Sequence, residues 1–419
     1  MDAGARLAAR LDAHVDAAHD EAVAFLRELV RVPTDTPPGD NAAHAARTAE
    51  LLAAMGFDVE RHPVPQADVV AAGLVSLTNL VVRRRYGEGP VIALNAHGDV
   101  VPPGEGWTRP PYDGVVEDGR MYGRGVAVSK SDFATHAFAL RALDAAAAEG
   151  AAAPRGSVEL HFTYDEEFGG ELGPAWLLRR GLTKPDLAIG PGFSYAIVTA
   201  HNGCLQLEVT VHGRAAHAAM PSTGIDALQG AVRILDALYA QHAAYAARRS
   251  ALEGITSPTL NVGRIEGGTN TNVVPARVVF RLDRRIIPEE DAGAAEAGLR
   301  DVIAKAAARS PGLRVEVRRL LLARPLVPLP GHERIAASLA RHGERVFGEP
   351  IRTTATPLYT DARHYGEAGV PVVLYGAGPR TILEANAKRA DENLLLEDLR
   401  RATKVVAATL ADLLASPAR

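Results

Sequence analysis

The stretch "PVIALNAHGDVV", residues 90–101, decides the fold. Its first apolar run, Val91 to Leu94, does not alternate with polar residues, which is typical of a strand buried on both faces. Two further strands are predicted: "SVELHFTYDEE" (157–167), which ends in carboxylates and follows a helical pattern, and the short buried run "PDLAIG" (185–190). This alternation predicts an α/β domain with a mostly parallel central sheet flanked by helices.

The pattern changes at Cys204, where "CLQLEVTVHG" alternates with a period of two. Such alternation is typical of an antiparallel sheet with one exposed face. The β-α-β-β-α-β order that follows predicts a small α+β domain of ferredoxin-like form, inserted into the first domain. We therefore expect an α/β domain in two parts, 1–203 and 321–419, around an inserted domain at 204–320.

Composition narrows the class of protein. Hydrophobic residues make up 47% and charged residues 23%, and the formal net charge is −4, so neither nucleic acid nor an anionic membrane is an expected partner. No apolar run reaches the length of a membrane span, and the first residues lack the apolar core of a signal peptide. The single cysteine, Cys204, excludes an internal disulfide framework and a CxxC-type zinc site. These features favour a cytoplasmic protein.

Chemistry-bearing residues stand at the ends of the predicted strands. His97 and Asp99 are two residues apart and leave one face of the strand. This pair fits a metal ligand with its supporting carboxylate, a metal-free acid–base histidine, or a packed histidine. Neighbouring Glu166 and Glu167 are expected to point to opposite sides, one toward a cation and one toward a substrate, unless they form a solvated loop.

Several ordered motifs together resemble the M20 peptidases. They are "NAHGDVVPPGEGWTRPPYDGVVEDGRMYGRGVAVSK" (95–130), "FTYDEEFGG" (162–170), "GRAAHAAMPSTGIDAL" (213–228), "GGTNTNVVPARVVFRLDRR" (267–285) and "YTDARHYGEAGVPVVLYGAG" (359–378). The resemblance covers nearly the whole chain. It implies that the inserted domain is a lid and dimerisation domain.

Members of this family typically hold two zinc ions through five side chains. The resemblance places the first ligand at His97 with Asp99 in support, the catalytic base at Glu166 and a further ligand at Glu167. These four residues match the family pattern, and His97 and Glu167 are the expected ligands of any retained metal.

The other three ligand positions depart from the family pattern. The carboxylate that bridges both metals falls on Val128 in the turn "GRGVAVSK" (123–130), the next acidic ligand on Pro191, and the last histidine on Lys388. Valine cannot coordinate a cation, and unbridged metal charges would repel one another. We therefore expect at most one divalent ion, with zinc as the first choice, or no metal.

Neighbouring groups offer partial replacements. Asp132 lies one helical turn beyond Val128, and Glu384 or Asn386 could supply one ligand near Lys388. The Lys388 ammonium could itself replace a cation by pairing with Glu166 and Glu167. A lowered pKa would alternatively let it act as a catalytic base.

The substrate-binding residues of the family are retained. The resemblance implies that His217 stabilises an oxyanion across a dimer interface. It also implies that Asn272 and Arg285 grip a carbonyl or carboxylate, while Gly376 belongs to a loop that lines the pocket. We therefore expect a small carboxylate-bearing, amino-acid-derived substrate and a homodimer formed through the lid.

Three functions are compatible with these residues. The first is hydrolysis of an amide bond in an N-acyl amino acid or dipeptide-like compound, with an atypical or absent zinc site. The second is a metal-independent lyase, isomerase or racemase in which Glu166 and Lys388 move a proton. The third is a non-catalytic small-molecule binding protein, which the costly cluster of retained carboxylates disfavours.

Overall fold

The computed structural model describes residues 3–415. It divides into two compact units: the first contains residues up to Thr199, Pro328–Thr354 and the chain from Thr360 onward, and the second contains Ala200–Val327 and Ala355–Tyr359. The second unit includes the expected lid (204–320) and extends beyond it on both sides. One reason is that His201 pairs with Leu326 through an antiparallel bridge.

The main sheet has eight strands, most of whose residues belong to the first unit. Its strand order is β1 (Val59–Pro63), β2 (Thr78–Arg85), β6 (Ser157–Thr163), β3 (Val91–His97), β7 (Leu187–Gly190), β14 (Val372–Leu374), β8 (Ala196–His201) and β13 (Arg352–Thr356). The four inner strands, from β6 to β14, pair in parallel, while β1 and β2 on one side and β8 on the other pair antiparallel. The predicted mostly parallel sheet is confirmed at its centre.

Helices cover this sheet. They are α1 (Ala3–Ala17), α2 (His19–Val30), α3 (Ala42–Ala54), α4 (Gln66–Ala71), α5 (Lys130–Ala148), α6 (Pro174–Arg179), α9 (His332–Phe347), α10 (Ala362–Glu367) and α11 (Leu396–Leu413). The apolar α5 is buried along most of its length, and its Phe133 ring stacks on Phe162 of β6 with centroids 4.1 Å apart. A small sheet of β4 (Val115–Glu117), β5 (Arg120–Tyr122) and β15 (Asn393–Leu395) lies in the same unit.

The second unit is built from an antiparallel sheet and two helices. Its strands lie in the order β10 (Thr259–Gly267), β11 (Arg277–Ile286), β9 (Gly203–His212) and β12 (Arg314–Ala323), and its helices are α7 (Ala227–Tyr245) and α8 (Ala292–Ala307). Apolar residues of both helices and the sheet form one core, which includes Leu207, Ile234 and Ile303. The predicted β-α-β-β-α-β order and ferredoxin-like form are confirmed.

Within residues 3–415, no helix combines the length and the apolar character needed to cross a membrane.

Candidate active site

The carboxyl ends of β3 and β6 bring the sequence-predicted groups together. Because these strands are parallel and His97 is in register with Thr163, the residues that follow each strand emerge side by side. The Gly98 amide donates a hydrogen bond to the Thr163 carbonyl at 2.8 Å. A side chain at position 98 would collide with the Tyr164 ring, 2.5 Å from where its Cβ would stand, so glycine is required for this close approach.

Asp99 connects the two strand ends. It is fully buried, and its Oδ2 accepts a hydrogen bond from the Glu167 amide at 2.9 Å. Its Oδ1 lies 3.4 Å from Nδ1 of His97, and this nitrogen also lies 3.1 Å from the Asp99 carbonyl oxygen. Asp99 therefore fixes the imidazole and the glutamate turn at once.

Glu166 faces the imidazole across the site. Its Oε2 lies 3.9 Å from Nε2 of His97, and both side chains are largely buried. Burial raises the pKa of Glu166 to about 7, opposed by the positive charge of His97. Burial would lower the pKa of His97, but Glu166 and Asp99 outweigh it and raise that pKa above its ordinary value, so the imidazole carries a charge at neutral pH.

Glu167 forms an ion pair with Lys388. Nζ of Lys388 donates a hydrogen bond to its Oε2 at 2.7 Å, across 221 residues of sequence. The glutamate side chain is 9% exposed and the lysine side chain 52% exposed. The expected pairing of Lys388 with this carboxylate is thus present.

The alternative expectation, a lowered pKa at Lys388, is wrong. Burial acts to lower this pKa, but the carboxylates of Glu167 and Glu166 outweigh it and raise the pKa of Lys388 above its ordinary value. The physical reason is that its nearest charged neighbours are anions. Lys388 is therefore a positively charged partner of Glu167 at neutral pH.

The turn at Gly123–Ala127 holds a carboxylate, although not one in the turn itself. Glu392 inserts its buried side chain there and accepts hydrogen bonds from the Gly125 and Ala127 amides, each at 3.1 Å. Nη1 of the buried Arg124 lies 2.5 Å from its Oε2. The sequence alone did not indicate this role of Glu392.

The Asp132 carboxylate binds backbone amides. Its Oδ1 accepts a hydrogen bond from the Ala377 amide at 2.8 Å, and the carboxylate also accepts from the Gly192 amide. A Cβ at Gly376 would stand 2.0 Å from Oδ1, so this loop can approach only as glycine. Burial raises the pKa of Asp132 to about 7. Asp132 anchors two loops, including the one containing Gly376.

Two further buried acids, Asp165 and Asp361, were not identified from the sequence as site residues. Burial raises the pKa of Asp361 well above its ordinary value, and the nearby charge of Asp165 raises it further. Burial likewise raises the pKa of Asp165 to about 8. The motif "YTDAR" (359–363) contains Asp361 and was the one signal that could have located it.

The donor set does not fit the two-zinc centre of the resembled family. Val128 and Pro191 offer no side-chain ligand, and Lys388 places an ammonium on Glu167. Glu384, a considered replacement, lies 3.3 Å from Arg120 in an ion pair. Across residues 3–415, no group of three or more His, Cys, Asp or Glu side chains is arranged to hold a metal ion.

The remaining predicted residues lie in the second unit. The loops of His217 and Asn272 are adjacent, because the Ala218 amide donates a hydrogen bond to the Asn272 carbonyl at 2.9 Å. Arg285 pairs through Nε with Oδ1 of Asp283 at 2.8 Å. His217 and Asn272 are both exposed.

Comparisons with known proteins agree with this architecture. The sequence pattern of peptidase family M20/M25/M40 matches residues 93–412. The succinyl-diaminopimelate desuccinylase of Gluconobacter oxydans is 31% identical over 293 residues, which cover 67% of this chain and 71% of that protein. The desuccinylase of Gluconacetobacter diazotrophicus is 29% identical over 405 residues, covering 94% and 97%.

Among solved structures, an M20 family metallo-carboxypeptidase, Sso-CP2 from Sulfolobus solfataricus, superposes with a TM-score of 0.76. It is 16% identical, and the match covers 94% of this chain and 99% of that one. At this identity the likeness concerns the fold alone.

The family match and the two desuccinylase relatives identify the chain as a hydrolase that acts on C–N bonds. The chain belongs to peptidase family M20/M25/M40.

Proposed function

We propose that this chain hydrolyses the amide bond of a small carboxylate-bearing amino-acid derivative, and that it does so without a two-zinc centre. N-acyl amino acids and dipeptide-like compounds form the expected substrate class, in keeping with the desuccinylase relatives. The proposal that no two-zinc centre is needed rests on the ion pair between Lys388 and Glu167, whose Nζ and Oε2 atoms are 2.7 Å apart.

Glu166 is the proposed general base. A carboxylate whose pKa stands near 7 is suited to take a proton from water and later return it to the leaving amine. The water oxygen bonds to the substrate carbonyl carbon, the C–N bond breaks, and the proton held by Glu166 passes to the amine nitrogen. The reaction therefore consumes water alone besides the amide and releases a carboxylic acid and an amine.

Two protein cations supply positive charge near that base. His97 lies 3.9 Å from Glu166, and Lys388 is bound to the adjacent Glu167. Fixed positive charges near the substrate carbonyl stabilise the negative charge that develops on its oxygen. Asp99 keeps the imidazole in place. The resemblance adds His217, Asn272, Arg285 and Gly376 as substrate-binding groups, and these roles stay predictions.

A single ion on His97 and Glu167 is the competing form of the site. It would have to bind Glu167 beside the Lys388 ammonium or displace that ammonium, and the positive charge of Lys388 opposes both. The lyase or isomerase alternative in which Lys388 takes the proton needs a neutral lysine, which the same carboxylates disfavour. Membership of a hydrolase family disfavours the non-catalytic alternative.

The function is tested by incubating the purified chain with N-succinyl and N-acetyl amino acids and with dipeptides, and by measuring release of the free amine. Hydrolysis of one of these classes is expected. Deuterium uptake at the substrate α-carbon without amide cleavage would contradict the proposal and favour the isomerase. Binding without either reaction would favour the binding protein.

We also propose a homodimer formed through the second unit. Helix α7 exposes an apolar stripe of Leu228, Val232 and Tyr239, and their spacing places them along one side of the helix. Strand β10 lies at an edge of its sheet, where unpaired backbone groups can accept a second copy. A monomeric mass in light scattering would contradict this arrangement. The cytoplasmic location stays a prediction.

A further inference from the structure

The Glu392 carboxylate is the junction of two chain segments. Both of its oxygens are occupied: Oε1 accepts the Gly125 and Ala127 amides, while Oε2 accepts Nη1 of Arg124 and the Lys388 amide, the latter at 3.3 Å. Both charged side chains are almost fully buried, at 1% and 2% exposure. The Gly123 amide adds a bond to the Glu392 carbonyl at 2.9 Å. This junction joins the Gly123–Ala127 turn to the segment that carries Lys388.

The backbone of that segment has an uncommon conformation. Lys388 has φ 62°, and its neighbours Asn386 and Asp391 have φ 49° and 54°. Such values are uncommon for residues other than glycine, and asparagine and aspartate adopt them more readily than lysine does, so Lys388 is the least expected of the three. Asp391 is held by Thr108, whose amide and hydroxyl donate to its carboxylate at 2.9 and 2.7 Å. Lys388 itself is held by Glu392.

The chain of contacts that begins at Arg124 and Glu392, which we call the tether, continues through Lys388 to the Glu167 carboxylate. From its fixed backbone, Lys388 extends Nζ to Glu167, 2.7 Å away. Arg124 is in turn fixed by the Pro103 carbonyl, to which its Nη2 donates at 3.0 Å, and by the Trp107 ring beneath its guanidinium. A continuous chain of contacts thus runs from Arg124 through Glu392 and Lys388 to Glu167.

We propose that Arg124 and Glu392 are positioning residues that hold Lys388 where its charge serves the reaction. This inference rests on the proposed function. Neither residue acts on substrate; each acts by fixing the backbone from which the lysine ammonium reaches the site. The turn thereby positions a cation, through a carboxylate supplied by a distant part of the chain.

The test is Glu392→Gln. The amide keeps the size of the side chain, but its NH2 group must face either the two turn amides or the Arg124 and Lys388 donors, so one pair loses its acceptor. Displacement of a catalytic group by about 1 Å can cost about 100-fold in rate. We expect kcat to fall about 10- to 100-fold, with KM nearly unchanged. In a protein that already carries Lys388→Met, adding Glu392→Gln should lower kcat very little further, because both changes act through the Lys388 ammonium.

Glu159→Gln is the matched control. Glu159 is also a buried carboxylate of the first unit, bound to Arg83 and to His161, but it lies on β6 four residues before the strand end. It should change stability without changing kcat. Should Glu392→Gln not fold, Arg124→Lys keeps the charge, loses the planar fork, and is expected to lower kcat in the same way.

Hydrogen exchange separates the failure of this inference from failure of the proposed function. In Glu392→Gln, amides of residues 385–391 should exchange faster than in the wild type or in Glu159→Gln. Faster exchange in a wild-type protein that hydrolyses nothing would refute the hydrolase while the tether stands. Unchanged exchange, an unchanged kcat, or fully additive losses with Lys388→Met would overturn the positioning role.

Discussion

Glu166→Gln is expected to lower kcat about 100- to 10,000-fold, the range that general acid–base catalysis contributes. The variant keeps the size of the side chain but cannot take a proton from water. Folding should persist, because replacing a buried carboxyl whose pKa is raised removes an unfavourable buried charge. The measurement is steady-state hydrolysis alongside thermal unfolding.

The pH dependence of the wild type supplies a second readout of the same residue. Glu166 acts as a base only when deprotonated, so kcat/KM should rise with pH through about 7. This rise should be absent from the residual activity of Glu166→Gln. Glu50→Gln, which changes an exposed carboxylate on α3, is the control and should behave as the wild type. Near-normal activity in Glu166→Gln would refute the assignment.

Arg124→Met is expected to destabilise the protein by about 3–5 kcal/mol, the cost of leaving one member of a buried ion pair without its partner. Glu392 is 2% exposed and would lose the Arg124 guanidinium, while the Gly125 and Ala127 amides would still donate to it. The free energy of unfolding, measured by urea titration at neutral pH, checks this expectation.

The control for that change is Arg179→Met. Arg179 forms an ion pair of 2.7 Å with Glu171, but both side chains are more than half exposed. Exposed pairs contribute about 0–1 kcal/mol, so this variant should unfold nearly as the wild type does. Equal losses in the two variants would mean that the Arg124–Glu392 pair has no special place in the fold.

The strand ends could be predicted because their signals are local. An apolar run without alternation located β3, and a strand-like run that ends in carboxylates located β6. Parallel strands bring their carboxyl ends to one edge of a sheet. His97, Asp99 and Glu166 therefore came together as expected. The β-α-β-β-α-β order of the second unit was equally legible, because its strands alternate and its helices are long.

The sequence allowed Lys388 to pair with Glu167, but it could not decide whether the pKa of this lysine is raised or lowered. Whether the pKa of Lys388 rises or falls depends on which charges surround Nζ, and Glu167 is 221 residues away. The role of Glu392 could not be predicted for a related reason. Nothing in the local sequence indicates that its carboxylate enters the Gly123–Ala127 turn, because that contact exists only after both segments pack.

Metal content is the most direct test of the central claim, that protein cations stand where the family pattern requires zinc. The chain is purified without added zinc, its metals are quantified by mass spectrometry, and hydrolysis is followed before and after treatment with a chelator. We predict far less than one zinc ion per chain and an unchanged rate after chelation. One or two zinc ions per chain, whose removal abolishes hydrolysis and whose return restores it, would contradict the account.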